Sequence, residues 1–255
     1  MKRPFGQNFL FYKNILNKIV SSSGVTGKDT VVEIGPGLGT LTRVLAQKSK
    51  KVIAIEFDKK LISQLRENVS DLKNVEIVNM DALKYSYENI KGKFSVVANI
   101  PYNITTPLLF KLLEHKAKLK SMTLLMQKEV AQRIVAKPGN KIYGVLSLST
   151  QLYTKPVLKF IVSKKSFSPP PKIDSAVVHF QVSAKPIFPV KNAALFLDIV
   201  KTSFGQRRKT IKNSLKSFDG LTESLDMTSI DPSSRPEKLS MQDFIRLADT
   251  LHNIG

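Results

Sequence analysis

Short runs of apolar, largely β-branched residues alternate with amphipathic segments over the first half of the chain. The runs that fit buried strands are Thr30–Ile34, Val52–Ile55, Val75–Val78, Phe94–Ala98 and Met122–Met126. Helical patterns lie between them, at Leu38–Gln47, Lys59–Val69 and Thr106–His115. Because parallel strands need a crossover that is usually a helix, this alternation predicts a doubly wound, mostly parallel sheet.

The pattern changes after this region. Lys155–Val162 and Ala176–Val182 are strand-like, with the proline run Ser168–Pro171 between them, and they predict an antiparallel hairpin that ends a seven-stranded sheet. Ser183–Pro189 is typical of a linker. Helical spacing then recurs in three segments, Asn192–Phe204, Lys209–Phe218 and Met241–His252. We therefore expect an α/β domain over residues 1–184 and a small all-α domain over residues 185–255.

The composition favours a polyanionic partner. The 255 residues contain 40 Lys and Arg against 20 Asp and Glu, a net charge of +20, and 29 of the basic residues lie in residues 1–183. Self-repulsion of that size favours nucleic acid over an anionic membrane surface or a mere solubility effect. Cysteine is absent and His115, His179 and His252 are scattered, so we expect no metal site. The basic N-terminus lacks the apolar core of a secretory signal. The absence of cysteine makes a reducing cytosol the default compartment, so we expect a cytoplasmic protein.

A glycine-rich turn follows the first predicted strand. Gly35, Gly37 and Gly39 would let the backbone approach a ligand closely at the start of a helix. Glu56 ends the second strand, where a carboxylate can accept both hydroxyls of a ribose, and Asp81 follows the third strand, where it could accept from an adenine amine. Singly, such glycines often reflect tight packing and such carboxylates often cap helices. Together they indicate a nucleoside-type cofactor, either a nicotinamide dinucleotide or S-adenosylmethionine.

The segment Asn99–Tyr102, with sequence NIPY, decides between these cofactors. The Asn99 side-chain oxygen and the Ile100 carbonyl can both accept hydrogen bonds from an exocyclic amine. Pro101 fixes the backbone and has no N–H to compete, while Tyr102 offers a face for stacking. Asn also occurs in ordinary turns. A dehydrogenase, however, has no use for an amine clamp beside its cofactor, so S-adenosylmethionine is favoured. We call Asn99–Tyr102 the amine clamp.

The motifs together resemble a known family, the ribosomal RNA adenine N6,N6-dimethyltransferases of the KsgA type. The matching segments span nearly the whole chain: FGQNFL at 5–10, EIGPGLG at 33–39, DAL at 81–83, NIPYNITTP at 99–107, QKEVAQRI at 127–134, YGVLS at 143–147, FSPPPKIDSAV at 167–177, FGQRRKTIKNSL at 204–215 and RPEKLS at 235–240. The QRRKT segment is typical of the small-subunit branch rather than of the macrolide-resistance methylases of large-subunit rRNA.

The resemblance assigns roles to individual residues. Asn8 and Leu10 would cover the methionine part of S-adenosylmethionine, and Gly35, with Gly37, would lie against it. Glu56 would bind the ribose hydroxyls and Asp81 the cofactor's adenine amine. Further assignments concern the substrate: Asn99 would touch both cofactor and target base, Tyr102 and Phe167 would stack on the base, and the basic cluster Arg207, Arg208 and Lys209 would contact RNA. The chain departs from the family pattern at two places. Ile100 stands where many members have Leu, but only its carbonyl is needed. Many members carry a longer basic arm before the position of Asn8, whereas only seven residues precede it here, so we expect fewer RNA contacts from that arm.

The resemblance also implies a reaction, the dimethylation of two adjacent adenosines in a hairpin near the 3' end of 16S rRNA during small-subunit biogenesis. S-adenosylhomocysteine would be the product, a pre-ribosomal small-subunit particle the partner, and the enzyme a monomer. One alternative is a non-catalytic assembly or transcription factor, but the intact clamp and cofactor residues argue against it. Another is a DNA adenine methylase, which more often carries Asp-Pro-Pro-Tyr or Asn-Pro-Pro-Tyr together with a target-recognition domain.

Overall fold

The computed structural model describes residues 8–206 and 208–254. Arg207 and the first residues of the FGQNFL segment therefore lie outside the described residues. Within the described ranges, no helix combines the length and the hydropathy needed to cross a bilayer.

The strands confirm the predicted α/β class. In chain order they are β1 (Phe9–Leu10), β2 (Thr30–Ile34), β3 (Lys51–Glu56), β4 (Val75–Asn79), β5 (Phe94–Asn99), β6 (Leu119–Gln127), β7 (Thr154–Val162), β8 (Phe167–Ser168) and β9 (Ser175–Val182). Seven of them form one sheet in the order β4-β3-β2-β5-β6-β9-β7. The first five in this order are parallel, β9 runs antiparallel to β6, and β7 forms the edge, so the predicted terminal hairpin is present.

The burial of the strands agrees with their order in the sheet. The apolar residues of β2, β3 and β5 are almost fully buried, as expected for strands covered on both faces.

A separate pair, β1 with β8, forms a small antiparallel ladder in which Leu10 lies opposite Phe167. This pair was not predicted, because two-residue strands leave no periodic pattern in the sequence.

The helices alternate with the parallel strands and then dominate the C-terminal part. They are α1 (Lys13–Ser23), α2 (Thr40–Ala46), α3 (Lys59–Asn68), α4 (Thr105–Glu114), α5 (Lys128–Ile134), α6 (Val145–Gln151), α7 (Ala193–Gly205), α8 (Ile211–Ser214), α9 (Leu221–Thr228) and α10 (Met241–Ile254). The helix predicted over Lys209–Phe218 is shorter in the structure. The Thr210 hydroxyl accepts from the Asn213 amide and starts α8 only at Ile211, and Gly220 with φ +72° lies in the turn that follows.

The chain divides into two compact units. One contains the chain up to Ala131 together with Lys155–Ala184, and the other contains Gln132–Thr154 together with the chain from Lys185 onward. The first unit holds the sheet and an apolar cluster that includes Leu16, Ile19 and Val97. The second unit is helical. Its separate core is built around the buried rings of three phenylalanines, Phe196, Phe204 and Phe244. The 132–154 segment thus adds α6 and part of α5 to the helical unit.

Candidate active site

Four polar features of the first unit lie at the carboxyl edge of its parallel strands. The glycine turn follows β2, Glu56 is the last residue of β3, Asp81 comes shortly after β4, and Asn99 is the last residue of β5. Because parallel strands all end at the same edge, side chains far apart in sequence meet there. Residues of all four features line two cavities, which share Gly35, Glu56 and Pro101.

The glycine turn is held by hydrogen bonds from its backbone amides to one carbonyl and one side chain of β3. The Gly35 amide donates to the Ile55 carbonyl (2.9 Å), and the Gly37 amide donates to Glu56 Oε2 (3.0 Å). Gly37 has φ +58°, and a Cβ placed there would lie 2.7 Å from Cε1 of Phe9. The need for glycine at this position therefore comes from the protein's own packing as well as from any ligand.

Glu56 lies at the junction of the two cavities. Its side chain is buried, and its Oε1 accepts from the Asp58 amide at 2.8 Å. Burial raises the pKa of Glu56, and the backbone N–H groups of Asp58 and Gly37 oppose that rise. A carboxylate has about four acceptor sites, so each oxygen keeps capacity for a further donor such as a hydroxyl.

Asp81 belongs to the second cavity, which encloses about 870 Å³, part of it open to solvent. Its Oδ1 accepts from the Leu83 amide at 2.9 Å, so the turn after β4 fixes the carboxylate. Phe57 and Met80, which are 57% and 45% exposed, form part of the cavity wall. Apolar walls with a carboxylate at one side suit a flat heterocycle that carries an amine.

Asn99 is oriented by a segment 91 residues away in sequence. Its Nδ2 donates to the Asn8 backbone carbonyl at 3.1 Å. Because the amide nitrogen is engaged in this way, the side-chain oxygen is the group left to accept from a ligand. Asn99, Ile100, Pro101 and Tyr102 all line the first cavity, so the structure brings the predicted amine clamp together.

Asn8–Leu10, which we call the strap, forms part of the wall of this cavity and is held by hydrogen bonds on two sides. The Thr40 hydroxyl donates to the Leu10 carbonyl (3.1 Å), and β1 pairs with β8. All three strap residues line the first cavity. Asn8, Leu10 and Thr40 thus line the same cavity as the amine clamp; contact of Asn8 and Leu10 with a cofactor stays a prediction, and Thr40 was not predicted.

Comparison with known proteins identifies the family. The sequence pattern of ribosomal RNA adenine dimethylases matches residues 1–253. A Caldanaerobacter subterraneus protein named ribosomal RNA small subunit methyltransferase A is 45% identical over 98% of this chain and 97% of its own length. A protein of the same name from Latilactobacillus sakei is 41% identical over 98% and 90%. The chain belongs to the ribosomal RNA adenine dimethylase family.

Solved structures agree with this assignment. A dimethyladenosine transferase from Plasmodium falciparum superposes with a TM-score of 0.82 at 29% identity, covering 94% of this chain and 95% of its own. The 23S rRNA methyltransferase ErmE superposes with a TM-score of 0.78 at 26% identity, covering 96% and 100%. Both structures support a Rossmann-like methyltransferase sheet with a helical C-terminal part.

Tyr102 of this adenine dimethylase is anchored by a residue that sequence reasoning missed. Its hydroxyl lies 2.7 Å from Oγ of Ser175, the first residue of β9. Ser175 is fully buried, and burial raises the pKa of Tyr102 while the Ser175 hydroxyl lowers it. The contact fixes the position of the hydroxyl end of the Tyr102 side chain. Ser175 carries no distinct signal in the sequence beyond its place in the FSPPPKIDSAV segment.

Phe167 does not line either cavity. Its side chain is 5% exposed and belongs to the apolar cluster that also contains Leu10 and Val177. Its backbone pairs with Leu10 of the strap, so it lies next to the site in the fold. Stacking of Phe167 on a target base stays a prediction, and it requires the ring to leave this cluster.

A second buried carboxyl, Glu33, lies beneath the glycine turn and lines the first cavity. It is 1% exposed, and Thr42 Oγ1 donates to its Oε2 at 2.6 Å. Burial raises the pKa of Glu33 to about 8, with a smaller contribution of the same sign from Glu56. Glu33 received no role from the sequence. The available signal was a charged residue within an otherwise apolar strand.

The predicted RNA-binding cluster lies in the second unit, between α7 and α8. Arg208 and Lys209 are exposed there, while Arg207 lies outside the described residues. Over the described ranges, no group of three or more acidic, histidine or cysteine side chains is arranged to hold a metal ion.

Proposed function

We propose that this protein dimethylates N6 of two adjacent adenosines in a hairpin near the 3' end of 16S rRNA, using S-adenosylmethionine, during small-subunit biogenesis. The observation that carries the proposal is the orientation of Asn99 in the amine clamp. Its side-chain nitrogen donates to the Asn8 carbonyl, which leaves its side-chain oxygen to accept from the target amine. The small-subunit branch is supported by relatives of 40–45% identity that carry the name small subunit methyltransferase A.

The two cavities fit an elongated nucleoside cofactor. Asp81 and the apolar walls of the second cavity would hold the adenine, and Glu56 at the junction would accept from the ribose hydroxyls. The methionine part would then lie in the first cavity, against Gly35 and beneath the strap. When bound, S-adenosylmethionine supplies an electrophilic methyl group, and the protein supplies position.

The clamp addresses the weak nucleophilicity of the adenine amine, whose lone pair is delocalised into the ring. Two acceptors, the Asn99 side-chain oxygen and the Ile100 carbonyl, would hold both N–H groups and favour a pyramidal nitrogen. Tyr102, held by Ser175, would stack on the base and fix its plane. These groups contribute orientation and electrostatic stabilisation, and the displaced proton would leave to water.

The substrate assignment is further supported by charge and by the cost of exposing a base. A net charge of +20 favours binding to the negatively charged phosphate backbone of RNA. An adenosine must leave its stack to reach the cavity, at a cost of a few kcal/mol that stacking on Tyr102 would partly offset. We further propose that the substrate is a pre-ribosomal particle in the cytoplasm and that the enzyme acts as a monomer.

The proposal is tested with radiolabelled methyl transfer to small-subunit particles from a strain that lacks its own enzyme, followed by nucleoside mass analysis. We expect dimethyladenosine in a small-subunit hairpin. Label in large-subunit RNA would contradict the small-subunit assignment, and label in neither RNA would contradict the proposal as a whole.

The clamp is tested with Asn99→Ala, compared with Asn89→Ala at an exposed position. Loss of a positioned acceptor should lower the methylation rate by about 10²- to 10³-fold, by analogy with removal of one preorganised hydrogen bond. Cofactor affinity, measured by calorimetry, should fall far less. Unchanged turnover in Asn99→Ala would refute the clamp. Retained particle binding without turnover would separate catalysis from an assembly role.

A further inference from the structure

Two neighbouring aromatic residues are exposed just beyond the strap. Phe11 and Tyr12 are 49% and 59% exposed, although single large apolar side chains of this kind are usually buried more deeply. They follow directly on Phe9 and Leu10, which line the first cavity. Since consecutive Cα atoms are about 3.8 Å apart, Tyr12 lies within roughly 8 Å of the cavity wall at Leu10.

The backbone beneath the two rings is fixed. The Tyr12 carbonyl accepts from the amides of Ile15 (2.9 Å) and Leu16 (3.1 Å) at the start of α1. The Phe11 ring lies 6.1 Å from the Phe9 ring, measured between centroids. The Tyr12 side chain makes no capping hydrogen bond to α1, so its exposure does not serve the helix. Two aromatic faces are therefore presented beside the cavity on an ordered support.

Exposed lysines lie close to the aromatic pair along the chain and across the β1–β8 ladder. Lys13 follows Tyr12, while Lys164 and Lys165 lie in the turn that leads into Phe167, the strand partner of Leu10. Among the ion pairs between described residues, none uses these three ammonium groups. Asp174, just before β9, accepts from the backbone amide of Lys164 through Oδ1.

We propose that Phe11 and Tyr12, with Lys13, Lys164 and Lys165, form a stacking platform for an unpaired RNA nucleotide that flanks the target adenosine. We call this set the aromatic platform. The inference rests on the proposed function, since it assumes that RNA enters the first cavity. A nucleotide next to a flipped adenosine loses a stacking neighbour, and an aromatic ring replaces that contact regardless of base identity. The lysines then meet the adjoining phosphates.

The chemistry of the aromatic platform favours RNA over a protein partner. Protein interfaces are depleted in lysine, particularly at their centres, whereas single-strand binding grooves combine aromatic faces with a basic rim. Tyr12 lies four residues after Asn8, whose carbonyl accepts from Asn99 of the amine clamp, so the platform and the clamp belong to the same part of the fold.

The experiment compares Tyr12→Leu with Tyr12→Phe and with Val157→Ala, a control on the exposed edge strand β7 that is 50% exposed. The RNA is a hairpin in which 2-aminopurine replaces the nucleotide next to the target, because stacking quenches its fluorescence. We expect Tyr12→Leu to lose quenching and to raise the KM for RNA about five-fold or more, while the KM for S-adenosylmethionine is unchanged. Tyr12→Phe should stay within about two-fold of the native protein, since it keeps the ring. Lys165→Ala should reduce the salt dependence of RNA binding by about one phosphate contact.

The outcomes separate the aromatic platform from the proposed function. If the native protein methylates RNA and Tyr12→Leu behaves like Val157→Ala, the platform is refuted and the function stands. If the native protein fails to methylate RNA, the proposed function fails and the platform, as a site beside a target adenosine, fails with it; loss of quenching in Tyr12→Leu would then show only that the ring stacks on RNA. Preferred binding to anionic vesicles, with no change in RNA affinity on mutation, would also refute the platform. Thermal unfolding followed by circular dichroism checks that each variant is folded.

Discussion

The buried carboxyl of Glu33 predicts how the stability of the α/β unit depends on pH. Glu33 is 1% exposed, its carboxyl accepts a hydrogen bond from the Thr42 hydroxyl, and burial raises its pKa to about 8 from an ordinary value of 4.5. The folded protein therefore keeps a proton that the unfolded chain releases above pH 4.5. The contribution of Glu33 to the free energy of unfolding is fully present below pH 4.5 and is lost as the pH rises towards 8.

The magnitude follows from linkage. Each pH unit between the two pKa values lowers the free energy of unfolding by about 1.4 kcal/mol. Between pH 5 and pH 7.5 the native protein should lose about 3 kcal/mol through Glu33 alone. Glu33→Gln keeps an acceptor for Thr42 and cannot ionise, so it should lack this contribution. The variant should gain stability relative to the native protein as the pH rises.

The measurement is urea unfolding at pH 5, 6, 7 and 7.5, followed by far-ultraviolet circular dichroism because the chain has no tryptophan. Hydrogen exchange of β2 and β3 amides reports on the same unit locally. Glu67→Gln, at an exposed position on α3, is the control. If Glu33→Gln and the native protein lose stability in parallel over this pH range, Glu33 is ionised in the folded state and the reasoning is wrong.

Two further substitutions test contacts around the cavities. Gly37→Ala combines a positive φ with a Cβ 2.7 Å from Phe9, whereas Gly92→Ala has φ +75° and nothing within 4 Å. Both should lose about 1–2 kcal/mol of stability to backbone strain, and only Gly37→Ala should also weaken S-adenosylmethionine binding in calorimetry. If Gly37→Ala and Gly92→Ala changed S-adenosylmethionine affinity equally, the contact between position 37 and Phe9 would not matter for cofactor binding. Ser175→Ala should cost about 1–3 kcal/mol by leaving the Tyr102 hydroxyl without its partner, and the loss should largely disappear when Tyr102→Phe is already present. Additive losses in a chemical-unfolding cycle would contradict that coupling.

The sequence predicted the sheet well because the signal was local. Buried parallel strands need continuous apolar runs, and segments such as Phe94–Ala98 carry that pattern within five or six residues. The helices α1, α5, α6 and α9 were not predicted. α1 follows the strap closely, and α6 lies in a stretch whose partners come from the distant C-terminal unit. Tertiary packing rather than local pattern decides such segments.

Part of the candidate site was predictable for the same reason. The glycine turn, Glu56, Asp81 and Asn99 each end or follow a strand, and parallel topology alone brings strand ends together. The contacts that set their orientation join residues far apart in sequence, such as Asn99 with Asn8 and Tyr102 with Ser175. Such pairs depend on register and side-chain direction, which a single sequence does not specify. The burial of Phe167 in an apolar cluster was unpredictable on the same grounds.

The reversed direction of β9 has a consequence for where substrate contacts can be varied. In a parallel strand only the residues after its end reach the functional edge of the sheet. β9 begins at that edge, with Ser175 opposite Gln127 at the end of β6. The loop before β9 is therefore delivered to the site together with Ser175. For β9, residues that alter substrate specificity should therefore be sought in the loop before the strand. For β2 to β5, they should be sought in the loops that follow each strand.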